Sequence, residues 1–344
     1  MLIKNKRDFL ARGLRATGAL DLLERWASRP GLLVLTYHRI GDPSATDFYA
    51  PVVSATPEGL REQLRRLRRT RRVLTLEEAT EIIASGSPIH RSVALVTFDD
   101  GTRDNAEVAA PILREEGVPA TFFLPTGLID EPRLPWYDHV ASVLNQSKVR
   151  ILRLDRPEPM VVDLAQVSKA QAIARVVWAC LAVDIDTNDE AGVLAHLEER
   201  AEATLDATAT GRELFMSWDD ARALIRAGHS VGSHAHSHRK LSALPEADQR
   251  DELTRSKAIL ETRLGREART LAYPYGWPGA YDETTQRLAR EAGYRVAFAS
   301  IEGVNRPGAM DPFAIRRLNI GSTDSPVMVR ARIALQSALG RSLV

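Results

Sequence analysis

Residues 93–101 read Val93-Ala94-Leu95-Val96-Thr97-Phe98-Asp99-Asp100-Gly101. Aliphatic and β-branched residues fill the first part without polar alternation, the pattern of a parallel strand buried on both faces. Two neighbouring carboxylates at the end of such a strand carry a desolvation cost that something must offset. Either a metal sits on one of them and leaves the other free as a base, or the three last residues make an Asp-Asp-Gly turn in which one aspartate caps the next helix. From these residues alone both readings stand.

Working outward, the same strand pattern recurs. Upstream, Gly31-Leu32-Leu33-Val34-Leu35-Thr36 is an apolar run ending in Tyr37-His38-Arg39. A helix capped by Thr56 with Pro57 in its first turn follows, and a shorter one capped by Thr75. The first carries Leu60, Leu64 and Leu67 on one face and a row of arginines on the other. Downstream, a helix near Asn105–Glu116 leads to a strand at Ala120–Leu124. Residues from about 144 to 212 break this rhythm with a hairpin pattern and two helical stretches, so they read as an inserted subdomain. The alternation then resumes with strands at Ser230–Ser233, Thr270–Tyr273 and Val296–Ser300 and a late run around Ala314–Ile320. At least six parallel-strand candidates interleave with helices. The fold class is α/β, best matched by a (β/α) barrel that is distorted or incomplete, with a doubly wound sheet as the second choice.

The chain has 344 residues, is 44% hydrophobic and 26% charged, and carries a net charge of +1. It can bury a sizeable core, and its charge balance speaks against a dedicated nucleic-acid binder. The single cysteine, Cys180, excludes an intrachain disulfide and a Cys-rich zinc site. No apolar run is long enough to span a membrane, and no secretory signal is read at the N-terminus, so the expected location is cytoplasmic. Residues 1–30 form a basic amphipathic helix carrying Lys4, Lys6, Arg7, Arg12, Arg15, Arg25 and Arg29. Such a helix either packs on the outside of the main domain or makes peripheral contact with an anionic membrane at the inner face.

Gly232-Ser233-His234-Ala235-His236-Ser237-His238 places three of the eight histidines within five residues, again at a strand end. The His234/His238 spacing lets both imidazoles converge on one ion if the chain turns there. Two imidazole nitrogens and a carboxylate oxygen make the donor set of an open, catalytic metal site, next to which the second aspartate can act as base. Gly228-His229-Ser230-Val231-Gly232 matches the G-x-S-x-G pattern of serine hydrolases. A helix precedes and a strand follows it, the reverse of a nucleophile elbow, so Ser230 is a strand residue. Leu271-Ala272-Tyr273-Pro274-Tyr275-Gly276-Trp277 is a third strand end, with aromatics suited to a sugar-sized groove.

Together these residues resemble the polysaccharide deacetylase family, carbohydrate esterases of family 4 with a NodB homology domain. The resemblance covers most of residues 31–320 apart from the insertion. It implies Asp99 as catalytic base, Asp100, His234 and His238 as metal ligands, and the Tyr275 backbone N–H as donor to the oxyanion. The third family motif commonly begins with an arginine that orients the base; Ala272 stands there, as in one branch of the family, and Arg316 or Arg317 is the candidate substitute. The usual late histidine is absent, and His38 in Thr36-Tyr37-His38-Arg39 looks like the N-terminal, permuted form of that general acid. Trp218, Tyr273 and Trp277 are candidates to stack on sugar rings.

The resemblance thus implies a NodB-like domain over residues 31–325, interrupted at about 144–212, between the N-terminal helix and a C-terminal helix at 326–344. It implies a metal-dependent carbohydrate N-deacetylase, a hydrolase of non-peptide carbon–nitrogen bonds, with a divalent metal, Zn2+ first and Co2+, Ni2+ or Mn2+ as alternatives. The partner is an N-acetylated amino sugar of a polysaccharide or glycoconjugate. Two rival readings remain: a deacetylase or deformylase of a lipid-linked sugar, and a catalytically inactive carbohydrate-binding protein of the same fold. The oligomeric state is not legible.

Overall fold

A computed structural model describes residues 2–26 and 30–339 of the chain. Where the sequence reading has one N-terminal helix, the chain has two, α1 (Leu2–Ala16) and α2 (Ala19–Trp26), parted by Gly18 in a left-handed conformation at φ +72°. The side chains of Lys4, Lys6, Arg7, Arg25 and Arg29 lie outside the described part, as do residues 340–344 of the expected C-terminal helix.

β1 (Gly31–Tyr37) is buried along its whole length, and a short parallel pair, β2 (Arg39–Ile40) and β3 (Val53–Ala55), follows. α3 (Pro57–Thr70) starts where Thr56 Oγ1 accepts the Gly59 N–H. After β4 (Arg72–Val73), a Thr75/Glu78 capping box opens α4 (Leu76–Ser85). β5 (Ser92–Phe98) is the apolar run with which the reading began. The chain leaves it through an i→i+5 turn over Asn105–Ala109 into α5 (Ala110–Glu115), then β6 (Thr121–Leu124) and α6 (Thr126–Asp130).

α7 (Trp136–Gln146), the antiparallel hairpin β7 (Ile151–Leu154) and β8 (Met160–Asp163), α8 (Lys169–Ala182) and α9 (Glu190–Ala201) bury a core of their own. Cys180 is inside it. The regular alternation returns with α10 (Ala207–Leu214), α11 (Trp218–Arg226), β9 (Ser230–Ser233), α12 (Glu246–Leu264), β10 (Thr270–Ala272), α13 (Glu283–Glu291), β11 (Val296–Phe298), β12 (Leu318–Asn319) and α14 (Pro326–Leu339).

Eight strands form one parallel sheet in the order β11-β10-β9-β6-β5-β1-β12, with β4 against the start of β5. Ile315 bridges Phe298 of β11, and three residues later β12 pairs with β1, so a thin seam joins the two ends of a curled, incomplete barrel. This is the distorted (β/α) NodB-like architecture expected from the sequence. The β1/β5 register sets Tyr37 beside Phe98, with Thr36 and Thr97 hydroxyls 3.1 Å apart. The residues that follow, His38 and Asp99, therefore emerge side by side. Gly232 allows close approach of β9 to β6: a Cβ there would lie 2.5 Å from the Phe123 ring. Because all these strands are parallel, their C-terminal ends share one rim.

α1 and α2 pack on α14 through Ala11, Leu20, Val327, Ala331 and Ala334, and Arg330 pairs with Asp21 and Glu24. Phe9, Leu10 and Leu22 nevertheless stay exposed. No described helix is long and apolar enough to cross a membrane.

Candidate active site

Three strand ends deliver the cluster. Asp99 and Asp100 follow β5, with the Asp99 N–H donating to the Tyr37 carbonyl at 2.9 Å. The His234 N–H donates to the Leu124 carbonyl, which fixes the end of β9 beside β6. Glu252 of α12 accepts the N–H groups of His236 and Ser237 at 2.9 and 2.8 Å, turning the chain so that His238 comes back under His234. His236 points elsewhere, its Nδ1 2.9 Å from Thr126 Oγ1. Tyr275 follows β10, and its hydroxyl accepts the Trp136 indole N–H at 3.1 Å.

One carboxylate oxygen of Asp100 and one nitrogen each of His234 and His238 lie within 4.8 Å of one another. His234 Nδ1 is 2.7 Å from the Ala272 carbonyl, which only accepts, so that nitrogen carries the proton and Nε2 keeps a lone pair. That lone pair faces Asp100 Oδ1 at 3.4 Å, and His238 Nε2 faces the same oxygen at 3.2 Å. The His234 lone pair facing a carboxylate oxygen is repelled by it unless a cation sits between them. The donor set is the one a divalent metal takes at catalytic sites, so these residues fit such an ion.

Asp99 is not part of that triad; Arg317 holds it. Nη1 donates to Oδ1 at 2.9 Å, Nη2 lies 2.8 Å from Oδ2, and both side chains are buried. Of the two arginines considered, Arg317 is the one that meets Asp99; Arg316 contacts the Glu302 carbonyl. Burial pushes Asp99 upward, but Arg317, His234 and His38 outweigh it and hold the carboxyl below its ordinary range. Asp100 is likewise penalised by burial yet lies well below that range, through its contacts with His234 and His238. His238 is raised in turn: burial works against its charge, and Asp100 overrides it. His38 moves the other way, lowered by burial despite the pull of Asp100 and Asp99.

Four of the six non-glycine residues with positive φ among the described residues belong to this rim: Asp100 (+73°), Ala235 (+59°), His238 (+60°) and Tyr275 (+60°). Each such conformation costs roughly 1–2 kcal/mol. Strain concentrated in this way marks a site whose geometry the surrounding fold imposes.

The cluster opens into a cavity of about 920 Å³. His38, Asp99, Asp100, His234, His238, Tyr275 and Trp277 all line it. Trp218 and Tyr273 do not, which corrects their reading as sugar-stacking residues. Trp218 is buried against α12, its indole N–H donating to Asp130. Tyr273 is fully buried, its ring stacked on Tyr281 and its hydroxyl donating to the Phe313 carbonyl. Both are aromatic residues of the core, and periodicity does not distinguish those from rim residues.

Several contributors were not read from the sequence. Arg39, next to His38, pairs through both Nη groups with Asp138 of α7, and Asp138 also accepts the Tyr49 N–H. Ninety-nine residues separate that pair, and no local signal links them. Asn319 of β12 also lines the cavity, its buried Oδ1 without a hydrogen-bond partner.

A family model described as polysaccharide deacetylase matches residues 86–297. The match includes Asp99, Asp100, His234, His238 and Tyr275, whereas His38 and Arg317 fall outside it. Comparison with curated proteins finds no match. Among solved structures the chain is similar to the Streptococcus pyogenes deacetylase PplD in complex with acetate, at a TM-score of 0.58 and 18% identity over 88% of this chain and 99% of that one. It is similar to IcaB from Ammonifex degensii at a TM-score of 0.58 and 22% identity, over 89% and 98%. A de-N-acetylase from Aggregatibacter actinomycetemcomitans gives 0.54 and 16% over 86% and 96%. At these identities the likeness carries the fold.

Proposed function

The chain belongs to the polysaccharide deacetylase family, and on that premise we propose that it removes the N-acetyl group from an amino sugar, with Asp100, His234 and His238 holding a divalent metal, Zn2+ first. The observation that carries this reading is the juxtaposition, in one cavity, of a His-His-Asp donor set and a second carboxylate kept ionised by Arg317. When bound, the metal supplies Lewis acidity, polarising the acyl carbonyl and acidifying the attacking water.

Asp99 takes the proton of that water as its oxygen attacks the acyl carbon. Arg317 keeps the carboxylate aimed and charged. The Tyr275 N–H, at the rim, is the donor available to the oxygen that gains charge. The carbon–nitrogen bond then breaks, the amine leaves with a proton, and acetate is released. His38 is the residue assigned to hand over that proton. Burial holds its ring below the ordinary imidazole range, against the pull of Asp100 and Asp99. Trp277 flanks the cavity as a stacking surface for the sugar.

Metal content and acetate release from N-acetylated amino sugars test the assignment together. Asp99→Asn is expected to retain metal and lose turnover by about a hundredfold or more, whereas His234→Ala loses both. Normal turnover by Asp99→Asn sinks the assignment of the base, and a metal-free wild-type chain sinks that of the triad.

A further inference from the structure

The cavity is larger and more apolar than its catalytic end requires. Besides the charged cluster it is lined by Leu10 and Leu14 of α1, Leu181 of α8, Met328 and Leu335 of α14, and Val52. Each keeps part of its surface open. Polar groups at that end are turned on one another: Arg332 pairs with Asp324 and Glu302, and Gln336 Nε2 donates to Glu302 at 2.7 Å. One acceptor, Gln336 Oε1, is left without a partner there.

An aliphatic wall is a poor surface for sugar rings. Hydroxyls buried against leucine and methionine lose water without gaining partners. A glycan extended along the cavity would meet that penalty at every ring, whereas a methylene chain would gain from each carbon buried. The wall is continuous with the cluster in one cavity, so its occupant is joined to the group that reacts. Leu10, which lines the cavity, is 65% exposed, so the wall reaches the surface at α1. An apolar path therefore runs from the outside to the reacting centre.

We propose that the amino sugar reaches Asp99 and Asp100 joined to an apolar chain, and that this chain lies along the wall formed by α1, α8 and α14. The substrate class is a glycolipid-like amino sugar, one sugar or a short glycan on an aliphatic tail. This rests on the deacetylase reading above for what happens to the sugar, but not for where the tail binds.

The test measures binding to the full chain by calorimetry, using methyl, butyl and octyl glycosides of N-acetylglucosamine below their micelle concentrations. Each buried methylene is worth about fourfold in affinity, so at least a tenfold gain is expected from butyl to octyl. Leu10→Asp and Leu181→Asp, both at partly open positions, are each expected to lose most of that gain. A flat series in the wild-type chain, or a steep one that both variants leave intact, overturns the proposal. Acetate release from all three glycosides is followed in parallel. Acetate with flat binding overturns the tail and keeps the deacetylase. Steep, variant-sensitive binding without acetate does the opposite.

Discussion

Asp99 and Arg317 are a buried pair, and such pairs are weak evidence for stability, because desolvating both ions offsets most of their attraction. What the pair changes is the chemistry of Asp99. A carboxylate in a buried rim would drift towards its neutral form; two guanidinium contacts keep this one ionised. Arg317→Lys keeps the charge and loses the fork. It is expected to raise the Asp99 pKa, so the acid limb of the kcat/KM profile moves to higher pH. The sign is fixed by direction: a carboxyl depressed in the folded chain works as a base above that depressed value, and weakening the depression narrows the window from below. A pH–rate profile whose acid limb stays in place would show that Arg317 does not act through Asp99. Asp99 was legible in the sequence because a carboxylate pair ended an apolar run. Arg317 was one of two adjacent arginines, and only the twist of the chain between β11 and β12 decides which of them points inward.

Among elements, α7 is the one that ties the inserted unit to the rim. Asp138 in its first turn takes Arg39 with both oxygens, and that arginine directly follows His38. Trp136 of the same helix reaches Tyr275. Asp138→Asn leaves the Arg39 guanidinium buried without its counter-ion and is expected to cost about 3 kcal/mol, read as a fall in the urea midpoint. A loss below about 1 kcal/mol would mean that the pair is solvated and that α7 is held by its apolar contacts instead. The helices themselves were readable from local signals: the Thr56 and Thr75 caps both form hydrogen bonds at helix starts as expected. The two N-terminal helices differ from the single one expected, since a glycine that merely weakens a helix in sequence becomes a left-handed break once α14 offers a second packing direction.

The whole molecule is a curled parallel sheet with a second core set beside it, and Cys180 lies in that second core. Burial pushes its thiol up to about 12, so at pH 8 a thiol reagent is expected to find it unreactive. Its labelling in increasing urea then reports opening of residues 136–201. Fast labelling in native buffer would show that this unit opens independently of the barrel. The sequence by itself determined the fold class, through apolar runs alternating with capped helices, and it named the candidate cluster, because Asp99, Asp100, His234 and His238 stand at strand ends within short local stretches. It did not determine the partners that make those groups a site. Arg317 on Asp99, Asp138 on Arg39, Glu252 under the histidine loop and the aliphatic wall of α1, α8 and α14 all join residues far apart in the chain. Local periodicity reports which face of an element is apolar, whereas strand register and helix packing decide which distant side chain that face meets.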